Sequence, residues 1–491
     1  MMTMHTSRCA RGCCQAVSRS RREFLSLAAG SLLSAPFLGR ASAAEGDAPK
    51  PPAGPPAPSE PPSLRACFVR RKGDYGMRWP GAVYDGQAAL KKYTQEITAA
   101  AKELGLKLEL RPEPLYSPAE ADAWLAEAVA AKPAGLLVVL LDRQDHAWPT
   151  AGKAIDTKIP TVVFSPIGSS FTTNTAAPSR KPGCFIASTD DFRQVRWGMK
   201  MLQAGARLRA TRCLVIAGGV ERDAAIEHLG IQLHYVPAQT FLEEYNKTPE
   251  SDEVLAIADD YMKRARRQVG ATRQDVINGV KSYVVARTLR QWAGANAITM
   301  DCLGALGRTK VSLPCIAWSR MNDEGVPAAC EADIGAVATH AVVQYLFDRP
   351  GFQQDPVAET ARGAVIGAHC SCPTRLSGFA QQPEPFDIVH HHGMRDAVPR
   401  TLWRIGQRIT CVDVEPAPKG AKPRVLISAG EVLDNVSVPP AGGCVVSVMA
   451  KFDGVADVLA FPGFHQLFLY GDFKEQLVQF CRLFDLQAVV V

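Results

Sequence analysis

Residues 328–372 read AACEADIGAVATHAVVQYLFDRPGFQQDPVAETARGAVIGAHCSC, and here an alternation of strands and helices closes and a succession of strands begins. Across 332–347 small and apolar residues recur at helical spacing, with no Gly after Gly335 and no Pro before Pro350, which predicts a helix. Glu331 then falls in its first turn, where the positive end of the helix dipole favours an ionised carboxylate. Asp348-Arg349-Pro350-Gly351 stops the helix, and Asp355 follows on the loop beyond it. An apolar strand at 364–367 leads to His369. Three ligand-type side chains on three successive element ends suit a divalent cation or a proton transfer. The same residues also have plain structural readings, since a first-turn Glu complements the dipole and an Asp before Pro forms turns.

Upstream, strands are expected at 64–70, 106–111, 135–142 and 159–165, with helices at 87–104 and 119–131. The unbroken apolar run Leu136 to Leu141 belongs to a strand buried on both faces, and hence to a parallel, doubly wound sheet. A Ser, Thr and Pro-rich loop at 165–182 separates a second α/β unit, with strands at 184–188, 213–217 and 297–300, a helix at 192–206 and a long helical segment at 251–292. Gly218-Gly219 follows one strand, but no G-x-G-x-x-G is present, so no dinucleotide is inferred. Downstream, strand-like pieces at 386–391, 408–414, 424–429, 444–451 and 458–461 alternate with Gly and Pro turns and end in a helix at 473–484. That is the pattern of an antiparallel β domain, of which a barrel is one form. The expected fold class is α/β: two doubly wound parallel-sheet domains, 64–182 and 183–350, followed by a β-rich, barrel-like C-terminal domain, 351–491.

The chain has 491 residues, of which 47% are hydrophobic and 21% charged, ordinary for a globular protein of two or three domains. Most of its +6 formal charge comes from Arg8, Arg11, Arg19, Arg21, Arg22 and Arg40, so no basic footprint for nucleic acid remains beyond residue 43. Ser20-Arg21-Arg22-Glu23-Phe24-Leu25 is a twin-arginine export signature. The apolar run after it is too short for a membrane span, and Ala41-Ser42-Ala43 has the pattern of a cleavage site. Residues 1–43 are thus expected to be a signal, the mature chain to start near Ala44 in the periplasm or another extracytoplasmic space, and 44–63 to be a Pro-rich linker. Of 14 cysteines, 11 lie beyond the signal, scattered singly in apolar runs, as buried thiols rather than a disulfide framework.

His369-Cys370-Ser371-Cys372 and His390-His391-His392 invite a structural zinc reading, but a single C-x-C lacks both the usual C-x-x-C spacing and a second matched pair. One ring of the triple His is expected at a polar site or a strand edge, with its neighbours pointing to opposite faces. His465, in Phe461-Pro462-Gly463-Phe464-His465-Gln466, reads either as a hydrogen-bonded core residue or as a ligand. No G-x-S-x-G, H-E-x-x-H or phosphate loop occurs, which lowers the weight of serine hydrolase, zincin and kinase.

The order of these residues resembles the L-fucose isomerase and L-arabinose isomerase family: C-E-x-D-x-G at 330–335, an Asp 24 residues after Glu331, and a late His before the final helix. The resemblance implies two α/β domains and a β-rich C-terminal domain. It also implies a divalent metal, Mn²⁺, on Glu331, Asp355 and His465, with Glu331 and Asp355 as acid and base of an aldose–ketose isomerisation through an enediol. His369 would be an extra ligand, and His391 a further ligand or substrate contact. The partner would be a sugar or polyol, with no nucleic acid and no membrane span in the mature chain, and the assembly a homo-oligomeric trimer or hexamer. A second reading, from another class, is an exported sugar-binding protein of the same fold without turnover, since two wound domains with a cleft suit solute capture.

Overall fold

Gly135–Leu140 is buried along its whole length, as its unbroken apolar run requires, and it is the central strand of a five-stranded parallel sheet. The strand order is Lys107–Leu110, Ser63–Val69, Gly135–Leu140, Thr161–Ser165, Cys184–Ser188. These features belong to a computed structural model describing residues 60–491 apart from 74–76, 79–81, 84, 144, 392–393 and 437–443. The expected signal and cleavage site, and the linker up to residue 59, lie outside the described residues. Cys184–Ser188, expected to open the second unit, pairs with Thr161–Ser165 and completes the first sheet instead.

A second sheet runs Ala328–Cys330, Ala297–Met300, Arg212–Ile216, Ile231–Val236, Arg222–Ile226, parallel except for the last strand. The expected long helix at 251–292 is broken. Asp252–Arg264 ends, Arg267–Val269 pairs with Phe386–His391 in a small three-stranded sheet, and Arg273–Trp292 begins anew. Thr272 restarts the helix by a reciprocal capping box with Asp275, a signal that the apolar periodicity hides.

The β-rich part is a closed barrel of six antiparallel strands. Around the ring they run Arg408–Glu415, Gln466–Tyr470, Phe352–Glu359, Ala364–His369, Val446–Phe452, Arg424–Asn435 and back to Arg408–Glu415. Closure leaves no unpaired edge in the ring. Side chains alternate between two cores: Leu467 and Leu469 pack with one, Phe468 and Tyr470 with the other. Residues 458–461, expected as a strand, contain a 3-10 turn, and the strand follows at Gln466–Tyr470.

Two corrections bear on the candidate residues. Asp355 lies within the barrel strand Phe352–Glu359, not on a loop. Pro356 suggested a turn, but it sits beyond Gln354, where pairing with Gln466–Tyr470 stops, so its missing N–H interrupts no ladder on that side. The helix spans Ile334–Phe347, and Glu331 precedes it rather than occupying its first turn. That helix packs between helix Phe192–Arg209 and barrel strand Arg408–Glu415. Covered on both sides, it has no polar face, which explains its apolar sequence.

Candidate functional site

The strand register builds one end of the barrel into a site. Gln354 pairs with Gln466, so Asp355 comes abreast of His465, which precedes that strand. Asp355 itself pairs with Ala368, the neighbour of His369. Three adjacent strands therefore bring together Asp355 from mid-strand, His369 from a strand end and His465 from just before a strand start. Glu331 arrives from the second α/β sheet, directly after Ala328–Cys330, and this edge is tied to the barrel by the Cys330 N–H, which donates to Gln353 Oε1 over 2.9 Å. Glu331 and Ala332 have φ of +63° and +55°, so the chain turns sharply through left-handed backbone before the helix. His465 also sits at positive φ, 56°, after Gly463, where a side chain would collide with Gln466, Leu426 and Asp413.

His465 is the buried floor of the cluster, its side chain 4% exposed, while Glu331, Asp333 and Asp355 are 22%, 31% and 28% exposed around it. Asp333 Oδ2 lies 2.8 Å from His465 Nδ1, and its Oδ1 accepts from the Ala336 N–H, capping the helix. With Nδ1 engaged by a carboxylate, the ring is turned so that Nε2 faces Asp355 Oδ1 at 3.3 Å and Glu331 Oε2 at 3.6 Å. Neither Nε2 nor Asp355 Oδ1 has a hydrogen-bond partner, though both atoms are buried. The His369 ring is 5.7 Å from that of His465, and single donor atoms of Glu331, His369 and His465 lie within 4.8 Å of one another.

Charge is unbalanced here. Burial pushes the Glu331 carboxyl above its usual range, with Asp333 adding to this and His465 opposing it. Asp355 is pushed up to about 6 by burial and by the charges of Glu331 and Asp333, against His465. Burial also acts upward on Asp333, but hydrogen bonds from His465 and the Ala336 and Gly335 N–H groups hold it below the usual range. Burial lowers His465, yet the Asp333 hydrogen bond and the surrounding carboxylates raise it overall. Asp413, buried nearby, is pushed up to about 7 by burial and then by Glu415 and Asp333. Four carboxyls surround one imidazole, and a divalent cation fits this donor set. A carboxylate holding the far nitrogen of a histidine is the usual way of aiming the near one at a metal.

The structure thus brings together Glu331, Asp355, His465 and His369. His391 does not join them: its Nε2 contacts Cys370 Sγ at 2.8 Å. Asp333 and Asp413 are additions. Asp333 is visible in sequence as the D of C-E-x-D-x-G; Asp413 lies in an apolar strand and gives no local signal. Two open surface clefts, of about 350 and 380 Å³, are lined by none of the cluster residues.

No protein-family model matches the chain, and no curated protein matches it. Similar solved structures include an arabinose-binding protein from Geobacillus stearothermophilus, 14% identical, covering 50% of this chain and 79% of its own, with a TM-score of 0.18. A glucose-galactose-binding protein from the same organism is 17% identical over 59% of this chain and 93% of its own, with a TM-score of 0.18. A solute-binding protein from Agrobacterium vitis bound with α-D-tagatopyranose is 12% identical over 58% of this chain and 85% of its own, with a TM-score of 0.16. Likeness this slight transfers neither fold nor ligand. No isomerase family model and no curated isomerase matches. The resemblance to L-fucose and L-arabinose isomerases is therefore not upheld. With it falls the enzymatic reading; the acid and base roles of Glu331 and Asp355, Mn²⁺ and a trimer or hexamer were implied by that resemblance alone. Among the described residues no helix is long and apolar enough to cross a membrane.

Proposed function

We propose that this protein is an exported binding protein for a sugar or polyol, which it holds without turnover at the barrel end formed by Glu331, Asp333, Asp355, His369 and His465. The observation that carries the reading is Phe464. It is 58% exposed, and its ring lies 4.5 Å from the His465 ring on which the part-exposed carboxylates converge. An aromatic face next to clustered acceptors matches a sugar ring, which has apolar C–H faces and hydroxyls around its rim. Glu331, His369 and His465, with Asp355 beside them, are the residues to hold a divalent cation, which when bound would ligate sugar hydroxyls. Export rests on the Arg21-Arg22 signature and the Ala41-Ser42-Ala43 pattern.

A thermal-shift screen of monosaccharides and polyols, with and without divalent cations, tests the reading. At least one sugar should raise the melting temperature saturably, since a ligand of the native state stabilises it. Phe464→Ala should lose the sugar-dependent shift and keep the cation-dependent one. A screen in which no sugar stabilises the wild-type protein under either condition contradicts the reading.

A further inference from the structure

The segment 369–372 feeds a second cluster. While His369 joins Glu331 and His465, the next residue, Cys370, meets Cys315 and His391, with one donor atom of each within 4.8 Å of the others and all three residues buried. His391 Nε2 is 2.8 Å from Cys370 Sγ, and the Cys444 thiol neighbours that of Cys370. The four residues come from four places: the start of helix Cys315–Asp323, the residue after strand Ala364–His369, the end of strand Phe386–His391, and the approach to strand Val446–Phe452. Cys372, the other half of the C-x-C, takes no part; its thiol donates to the Pro373 carbonyl over 3.3 Å.

We propose that Cys315, Cys370, Cys444 and His391 hold one thiophilic divalent cation, Zn²⁺, in a tetrahedral structural site separate from the carboxylate cluster. Zinc binds thiolate sulfur at about 2.3 Å and imidazole nitrogen at about 2.0 to 2.1 Å, which places the donors about 3.5 to 3.8 Å apart. Three donors already within 4.8 Å reach that spacing by small side-chain shifts, the His391–Cys370 contact opening and the wider pair closing. On binding, three S–H bonds break, three Zn–S bonds form, His391 gives a ring lone pair, and three protons pass to solvent. Sulfur donors select zinc over magnesium, calcium or manganese. The site ties the helix that precedes the last strand of the second α/β sheet to the barrel and to the small three-stranded sheet.

The test is a Co²⁺ titration of the reduced, metal-free full chain, followed by ultraviolet and visible absorption. The expected result is a thiolate-to-cobalt charge-transfer band with tetrahedral visible bands, saturating at one equivalent, bleached by Zn²⁺, with about three protons released per Zn²⁺ in weak buffer. Cys370→Ser should weaken this binding by more than tenfold, and Glu331→Gln should leave the band intact, which separates this site from the barrel-end cluster. The wild-type spectrum decides even where Cys370→Ser does not fold. Absence of a charge-transfer band in the reduced wild-type protein overturns the proposal, as does a band that survives Cys370→Ser or a Cys315–Cys370 disulfide mapped in the purified protein.

Discussion

Asp333 has two oxygens and two tasks. Oδ1 caps the Ile334–Phe347 helix and Oδ2 holds His465. Asp333→Asn keeps a cap acceptor, so its stability should fall little, while its affinity for a divalent cation falls because the charge that aims and polarises His465 is gone. Asp333→Ala should cost roughly 1 kcal/mol for the cap and roughly 1 to 3 more for the unpaired imidazole nitrogen, read by urea denaturation. Asp323 supplies a pH test away from this cluster. It is buried and accepts from the N–H groups of Thr374 and Arg375 and the Thr374 hydroxyl, yet burial pushes its carboxyl up to about 6. Because that lies above the unfolded value of about 3.9, the folded state holds the proton more tightly, and stability falls as pH rises from about 4 to 6. Asp323→Asn should flatten that slope and be more stable than wild type at pH above 7 by up to about 3 kcal/mol, measured by denaturation across the pH range.

The Ile334–Phe347 helix was legible as a helix because its small apolar residues repeat without a breaker. Its start was not, since Glu331 and Ala332 adopt left-handed backbone that no residue type there announces. Asp355 was legible as a candidate but misplaced, because Pro356 reads as a turn until the end of the ladder at Gln354 is known. The same helix carries His340, buried, with both ring nitrogens unpartnered and its protonation pushed down to about 3 by burial. The imidazole is therefore neutral at ordinary pH and loses hydration without gaining a bond. His340→Leu should stabilise the protein by about 1 to 2 kcal/mol in thermal or chemical denaturation. A loss of that size instead would mean that the ring has a partner in solution.

Over the whole molecule, α/β sheets and a barrel meet around one helix. Phe347 at its end stacks on Trp197 at 6.0 Å and on Phe473 at 4.1 Å, joining the helix behind the first sheet to the chain that leaves the barrel. Phe347→Ala should cost roughly 2 to 4 kcal/mol, seen as a lowered melting temperature. The layer scheme was readable from strand and helix periodicity, but sheet membership was not: Cys184–Ser188 joins the first sheet by pairing across space, which no local pattern encodes. The barrel-end cluster was half readable for the same reason, with Glu331, Asp355, His369 and His465 recognisable by type and Asp413 hidden in an apolar strand. The most direct test of the central claim is isothermal titration calorimetry of the cation-loaded wild-type protein with the sugar selected by thermal shift, with the sugar recovered afterwards and identified. The account predicts saturable binding near one sugar per chain, weakened at least tenfold by Phe464→Ala, and a sugar recovered unchanged. No binding heat, equal binding by the variant, or a recovered sugar converted to another would contradict it.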